Sequence, residues 1–332
     1  MKLAFLILFI FFVNPIQAQN IFDYEQKIEL SEEFSSQEIN FINPEDGVEL
    51  SGTLMYPNKE FDKVVMIVPG SGKDSRHSHF VLANEFLSNQ IAVYRFDERG
   101  VGQSEGNYNY TASSLMKDVI AAFNQLKGTD ILSKKKVGIL GHSLGGIASI
   151  GAYGQGCDFD FLIQMATPVE NNGAFIKYQA LTNIDGFYTV KNKTYEEVIQ
   201  FIDALRKTSQ AEDDYKTTQK KSKAIIKQFD FKKGRHIANP LIIDLMKQNH
   251  EETYQTSSVP ILYIIGSKDR IVSSHNEIET LEKLNSPIIT VVLIDDVNHW
   301  LNDMVNPTKM SKKLYYMTDS ALEKIITWTL EK

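Results

Sequence analysis

One cysteine, Cys157, occurs in 332 residues. A lone thiol cannot close a disulfide within the chain, so the fold has to be held by apolar burial. With 42% hydrophobic and 23% charged residues the chain is long enough for one large α/β domain or two small ones. Positive charge is also scarce: 35 Lys and Arg stand against 42 Asp and Glu, a formal net charge of −7. That balance gives no long-range pull toward nucleic acid or an anionic membrane. The short basic runs at Lys134 to Lys136 and Lys220 to Lys223 are isolated, as expected of solvated helix ends. Internal repeats and low-complexity linkers are missing.

Apolar runs of membrane-spanning length are missing as well. The longest begins after Lys2, "LAFLILFIFFV", and is shorter than the ~20 residues that cross a bilayer. A charged start, this run and the small residue Ala18 predict a cleaved secretory signal peptide over residues 1–18, with an uncleaved anchor as the alternative. The mature chain is expected to begin near Gln19, to have no integral membrane span and to be secreted or periplasmic. No cysteine lies near the cut to carry a lipid.

Beyond the signal, "SQEINFIN" and "VELSGTLMYP" alternate with the period-two pattern of antiparallel strands. Six apolar, β-branched runs follow: "KVVMIVPG", "IAVYRFDERG", "KKVGILGHS", "FDFLIQMAT", "VPILYIIGSKD" and "PIITVVLIDDVNH". Helical stretches such as "FVLANEFLSNQ", "SSLMKDVIAAFNQLKG" and "NEIETLEKLN" lie between them. Strands apolar on both faces that alternate with helices predict an α/β fold with a mostly parallel sheet covered on both sides. The active crevice of such a sheet lies at the carboxyl ends of its strands. Between "FDFLIQMAT" and "VPILYIIGSKD" no strand is evident. Tyr195, Val198, Ile199, Ile202 and Leu205, then Ile225, Ile226 and Phe229, recur there at helical spacing. Residues 171–257 are therefore expected to be an inserted helical cap, and 19–170 with 258–332 the α/β core.

Two stretches match G-x-S-x-G, "GQSEG" at Gly102 to Gly106 and "GHSLG" at Gly141 to Gly145. The pattern arises by chance in roughly one chain in ten of this length, so the flanks must decide. A serine nucleophile sits on a strained turn between a strand and a helix, with small residues two positions either side. Ser143 has this setting: "KVGIL" precedes it and "GGIASIGAYG" continues as a small-residue helix. Ser104 has loop on both sides and reads as a chance match within a turn.

A serine hydroxyl needs a histidine base and an orienting carboxylate, here expected in the chain order Ser, acid, His. His299 in "DDVNHW" follows the last strand, and Asp269 in "GSKDRIV" ends the strand before it. His142 neighbours the serine and is expected to shape the pocket. His77 and His79 have a metal-pair spacing but no third ligand nearby, and His236, His250 and His275 have no supporting pattern. The backbone N–H of Leu144, opening the helix after Ser143, and that of Ser71, in "PGSGK", are the expected oxyanion donors. "PGSGK" lacks the spacing of a nucleotide P-loop.

Taken in order, "PGSG", "DERGVGQS", "GHSLGG", "GSKD" and "NHW" resemble the α/β-hydrolase superfamily, and within it the secreted bacterial carboxylesterases of the serine-aminopeptidase-like group. The resemblance covers about residues 50–170 and 258–330. It implies Ser143 as nucleophile, His299 as base, Asp269 as orienting acid and Ser71 and Leu144 as oxyanion donors. It also implies a structural role for "DERGVGQS", tied down by Asp97 and Arg99. Pro69 and Gly70 stand where many relatives have His-Gly, and the triple glycine of some lipases is missing. The expected activity is hydrolysis of small-molecule carboxylic esters through an acyl-enzyme, with no cofactor. Cleavage of peptide termini or other amides, and binding without turnover, are the alternatives.

Overall fold

The computed structural model describes residues 22–108, 111–182, 193–212, 214–231, 239–305, 307 and 311–332. The signal segment 1–18, the cut near Gln19 and His236 lie outside the described residues.

The described residues form ten strands: β1 (Phe34–Glu38), β2 (Phe41–Ile42), β3 (Glu49–Leu50), β4 (Gly52–Pro57), β5 (Lys63–Val68), β6 (Ile91–Phe96), β7 (Lys136–His142), β8 (Phe161–Met165), β9 (Ile261–Gly266) and β10 (Ile289–Ile294). Eight of them make one sheet in the order β1-β4-β6-β5-β7-β8-β9-β10. β1 and β4 join it antiparallel, and every pairing from β6 to β10 is parallel. β2 and β3 form a separate antiparallel pair. The strands from β5 to β9 are buried over nearly their whole length, as a sheet covered on both faces requires. β10 departs from that expectation. It is the edge strand, only Ile294 is buried, and Leu293 is 46% exposed, because an edge is covered on fewer sides than the strands inside.

The helices fall on two faces. α1 (Phe80–Ser88) and α10 (Asp319–Leu330) cover one face, where Phe86, Leu87, Ile325 and Trp328 meet Val65, Ile67, Leu140 and Ile163 of the sheet. α2 (Ala112–Lys127), α3 (Leu144–Gly154) and α9 (Ser274–Leu284) cover the other. Thr111 caps α2 by accepting from Ser114 N, with the Ser114 side chain accepting from Thr111 N in return. Cys157 is buried in this second core, and burial pushes its thiol up to about 11.

Between β8 and β9 the described residues carry no strand. They form α4 (Ile176–Thr182), α5 (Tyr195–Ala211), α6 (Tyr215–Gln228), α7 (Pro240–Leu245) and α8 (Glu251–Thr256). The inward stripe of α5 is Val198, Phe201, Ile202 and Leu205, with Phe201 stacked on Phe231 at 3.8 Å between ring centroids. Tyr195, expected in that stripe, is exposed in the first turn of α5. These side chains belong to the same apolar cluster as α2 and α3, so the helical segment is packed onto the main core.

One buried acid ties α9 to the chain just beyond β8. Glu277 of α9 accepts the backbone N–H groups of Val169 at 2.6 Å and Glu170 at 2.8 Å, where the chain leaves β8. Burial first, and the neighbouring Glu170 carboxylate second, push Glu277 up to about 8. An unfolded glutamate titrates near 4.3, so between that value and about 8 the folded protein holds a proton that the unfolded chain has lost. Stability from this group is therefore present at low pH and lost as pH rises through that window. Glu277→Gln, neutral at every pH, should match the wild type in Tm at pH 4 and gain on it progressively toward pH 8. A wild type that gains on the variant over the same range would contradict the buried-acid account.

Candidate active site

Strand register gathers the expected residues at one edge. Val68 pairs with Gly141, His142 with Met165, and Ile294 with Gly266, so the chain leaves β5, β7, β8, β9 and β10 on the same side of the sheet. Ser143 follows β7, Asp269 follows β9, and His299 follows β10. Strands lie ~4.8 Å apart, so the ends of β7 and β10 are separated by about 14 Å, and the loop after β10 has to turn back across the sheet. It crosses directly over Gly266, where a Cβ would stand 2.2 Å from the Val297 oxygen. A side chain at that position would block the return of His299.

Ser143 holds φ 54 and ψ −116, a left-handed conformation costly for a residue with a side chain. Its N–H donates to Met165 O at 2.8 Å, and its carbonyl accepts from Gly146 N and Ile147 N, which starts α3. The glycines two positions away are forced by contact. A Cβ on Gly141 would lie 2.4 Å from Gly145 O, and one on Gly145 would lie 2.3 Å from Val68 O. The Leu144 N–H belongs to the first turn of α3, whose donors have no acceptor within the helix. Ser71 is exposed on the loop after β5; its neighbour Gly70 packs against the serine, and a Cβ there would stand 3.1 Å from Ser143 Cβ.

His299 and Asp269 are brought together. Nδ1 of His299 lies 2.7 Å from Asp269 Oδ2, and both side chains are buried. The other oxygen, Oδ1, accepts from Ile271 N at 2.7 Å and Val272 N at 2.9 Å. Both carboxylate oxygens are thus occupied and the ring carries its proton on Nδ1, which leaves Nε2 as an acceptor. Asp295 and Asp296 are exposed, and Asp296 pairs with Lys268. The His299 loop is braced by Asn298, whose Nδ2 donates to Asn302 Oδ1 and Met304 O while its Oδ1 accepts from Trp300 N. Among the described residues the Ser143 hydroxyl makes no hydrogen bond to the His299 ring. What joins the two is His142, next in chain to the serine, whose Nε2 donates to the His299 carbonyl at 3.0 Å.

The second serine has a structural place. Ser104 Oγ donates to Asp97 O at 2.6 Å and accepts from Ser51 N at 2.9 Å, and no helix begins there. Asp97 accepts from Arg76 and from Gln103 N, while Arg99 pairs with Asp46 and Asp118.

The remaining histidines part company. His79 reaches His142, not a metal-binding partner, and among the described residues no three His, Cys, Asp or Glu side chains gather as ligands. His77 is lowered to about 4, chiefly by burial. His250 is half-buried beside Gln248, and His275 is exposed.

A cavity of about 340 Å³ opens beside the His299 and Asp269 pair, walled by Tyr178, Ile271, Trp300 and Met304 among others. Ser143 is not in its wall. Tyr178 of α4 donates to the Asp269 carbonyl at 2.8 Å, so the helical segment touches the acid's own loop. Nothing in the sequence marks Tyr178, since its partner lies 91 positions away.

Residues 59–303 match the family model described as serine aminopeptidase, S33. The chain belongs to this hydrolase family. The S33 chain also has the fold of many solved α/β hydrolases. Esterase Pf2001 of Pyrococcus furiosus matches it at 17% identity and TM-score 0.57, over 90% of this chain and 91% of that one. Est1E of Butyrivibrio proteoclasticus, solved with ferulic acid bound, matches at 19% identity and TM-score 0.55, over 86% of this chain and 96% of that one. The α/β hydrolase GrgF of Penicillium sp. sh18 matches at 15% identity and TM-score 0.56, over 90% and 97%. Among curated proteins, the uncharacterized protein YfhR of Escherichia coli O157:H7 is 25% identical over 158 residues, 46% of this chain and 55% of that protein. The matched part thus spans about half the length of this relative.

Proposed function

We propose that the protein is a secreted serine hydrolase that cleaves small-molecule carboxylic esters through an acyl-enzyme. The observation that carries this reading is the strained turn at Ser143 at the same sheet edge as the His299 and Asp269 pair. His299 Nε2 takes the proton of Ser143 as Oγ adds to the ester carbonyl. The oxyanion is held by the N–H groups of Leu144 and Ser71, and collapse of the adduct expels the alcohol, which receives the proton from His299. Water then attacks the acyl-serine by the same route in reverse roles, releasing the carboxylic acid and restoring Ser143. Asp269 keeps the ring in the tautomer this needs and stabilises the imidazolium. No cofactor enters these steps.

Residues 171–257 act in this reading as a cap over the 19–170 and 258–332 core, and Tyr178 carries it to the pocket. Tyr178→Ala should change kcat/KM for hexanoyl and longer p-nitrophenyl esters by at least ~5-fold more than for the acetyl ester. A uniform change across chain lengths would make α4 structural only. Export through the segment 1–18 is supported by its charged start and apolar run.

The family's description favours a second reading, removal of residues from peptide termini. The two part on one panel, p-nitrophenyl esters against aminoacyl p-nitroanilides. Ester turnover with anilide rates at least ~10²-fold lower is expected, and the opposite ratio would make the enzyme a peptidase.

A further inference from the structure

Two histidines outside the proposed triad form one hydrogen-bonded line that ends on the third. Ser78 Oγ lies 3.2 Å from His79 Nδ1, His79 Nε2 lies 3.1 Å from His142 Nδ1, and His142 Nε2 lies 3.0 Å from the His299 carbonyl oxygen. Both rings are only 2% exposed. A carbonyl oxygen can only accept, so His142 carries a proton on Nε2. Neutral His142 then accepts at Nδ1, which puts the His79 proton on Nε2, and the Ser78 hydroxyl donates to the remaining nitrogen. The line thus has one polarity, set from its far end.

From this geometry we infer that His79 and His142 are positioning residues for the hydrolytic step, both held neutral and Nε2-protonated, with His142 fixing the backbone of His299. The inference rests on the triad proposed above. His142 stands beside three parts of the site: it precedes Ser143 in the chain, its ring lies 4.9 Å from that of His299, and a Cβ on Gly70 would stand 3.4 Å from its Nδ1. His79 is held in turn. It has φ 50 at the start of α1, its side chain caps nothing there, and its ring packs 4.2 Å from that of Tyr315, whose hydroxyl donates to Asp74. Arg95 donates to the Ser78 carbonyl, Tyr315 faces His79, and His299 and Trp300 face His142. Asp269 is engaged by His299, and Tyr315 donates to Asp74. An imidazolium in the line would stand beside His299 just as that ring becomes cationic.

Glutamine can donate from Nε2 near the place of His142 Nε2, whereas leucine fills space and donates nothing. His142→Leu should lower kcat ~10- to 100-fold with KM within about twofold, the size expected when a reacting group is displaced by a fraction of an ångström to an ångström. His142→Gln should recover most of that loss. Equal kcat in the Gln and Leu variants would overturn the positioning role. A measurement independent of turnover, and of whether the Leu variant folds, is the long-range ¹H–¹⁵N spectrum of the wild type labelled with ¹⁵N-histidine at pH 7. His142→Gln and His79→Gln assign the two rings. Neutral Nε2-protonated rings at both positions are expected, and an Nδ1 tautomer or an imidazolium at either would overturn the inference. The triad fails separately, if Ser143→Ala retains activity.

Discussion

Ser143→Ala is expected to lower kcat for a p-nitrophenyl ester by at least ~10⁴-fold, while Ser104→Ala leaves kcat/KM within about threefold. Both serines sit in a G-x-S-x-G pattern and both are buried, so the contrast tests geometry and not composition. Ser143 is on the strand-to-helix turn, with the loop of Gly70 on one side and the first turn of α3 on the other. The hydroxyl of Ser104 is already spent on Asp97 O and Ser51 N. Its removal leaves two buried backbone groups short of a partner, a cost of about 1–3 kcal/mol. The Ser104 variant should therefore be active at 25 °C and melt several degrees lower. Kinetics and a melting curve on both variants check this; activity lost equally in the two would mean the turn at Ser143 is not the reacting one.

The second large effect concerns the acid. Asp269→Asn should lower kcat by at least ~10²-fold, and Asp295→Asn and Asp296→Asn should have small effects. Asp295 and Asp296 are nearer to His299 in the chain, yet both face solvent, and Asp296 pairs with Lys268. Asp269 instead accepts from His299 Nδ1 with one oxygen and from two backbone N–H groups with the other. An asparagine there can present its N–H₂ to Nδ1 and turn the ring to the wrong tautomer, a change that costs on the order of 10⁴ in kcat in a serine protease. Because asparagine keeps the volume and can still accept from Ile271 and Val272, Tm should fall little. Near-full activity in Asp269→Asn alongside a collapse in Asp296→Asn would move the acid to the end of β10.

Much of this arrangement is written locally. The strands from β5 to β9 are continuous apolar runs because both faces are buried, and the turn at Ser143 carries glycines because backbone atoms stand where Cβ atoms would be. Chain order together with the ends of the apolar strands points to Asp269 and His299. What is not local could not be read. β10 is as apolar as its neighbours, and only its place at the sheet edge leaves Leu293 in solvent. His79, His142 and the His299 carbonyl meet across 63 and 157 positions, a distance no periodicity encodes, so an H-S-H spacing suggests metal where the fold builds a hydrogen-bonded line. Tyr178 meets Asp269 for the same non-local reason.

Ester hydrolysis by this route requires Ser143 to be the group that reacts. Treating the purified protein with a fluorophosphonate, then locating the adduct by peptide mass spectrometry, tests that claim without choosing a substrate. One phosphonyl group per chain on the peptide containing Ser143, with ester hydrolysis lost in proportion to labelling, is the expected result. An adduct on Ser104, or full ester hydrolysis in protein labelled at Ser143, would contradict it.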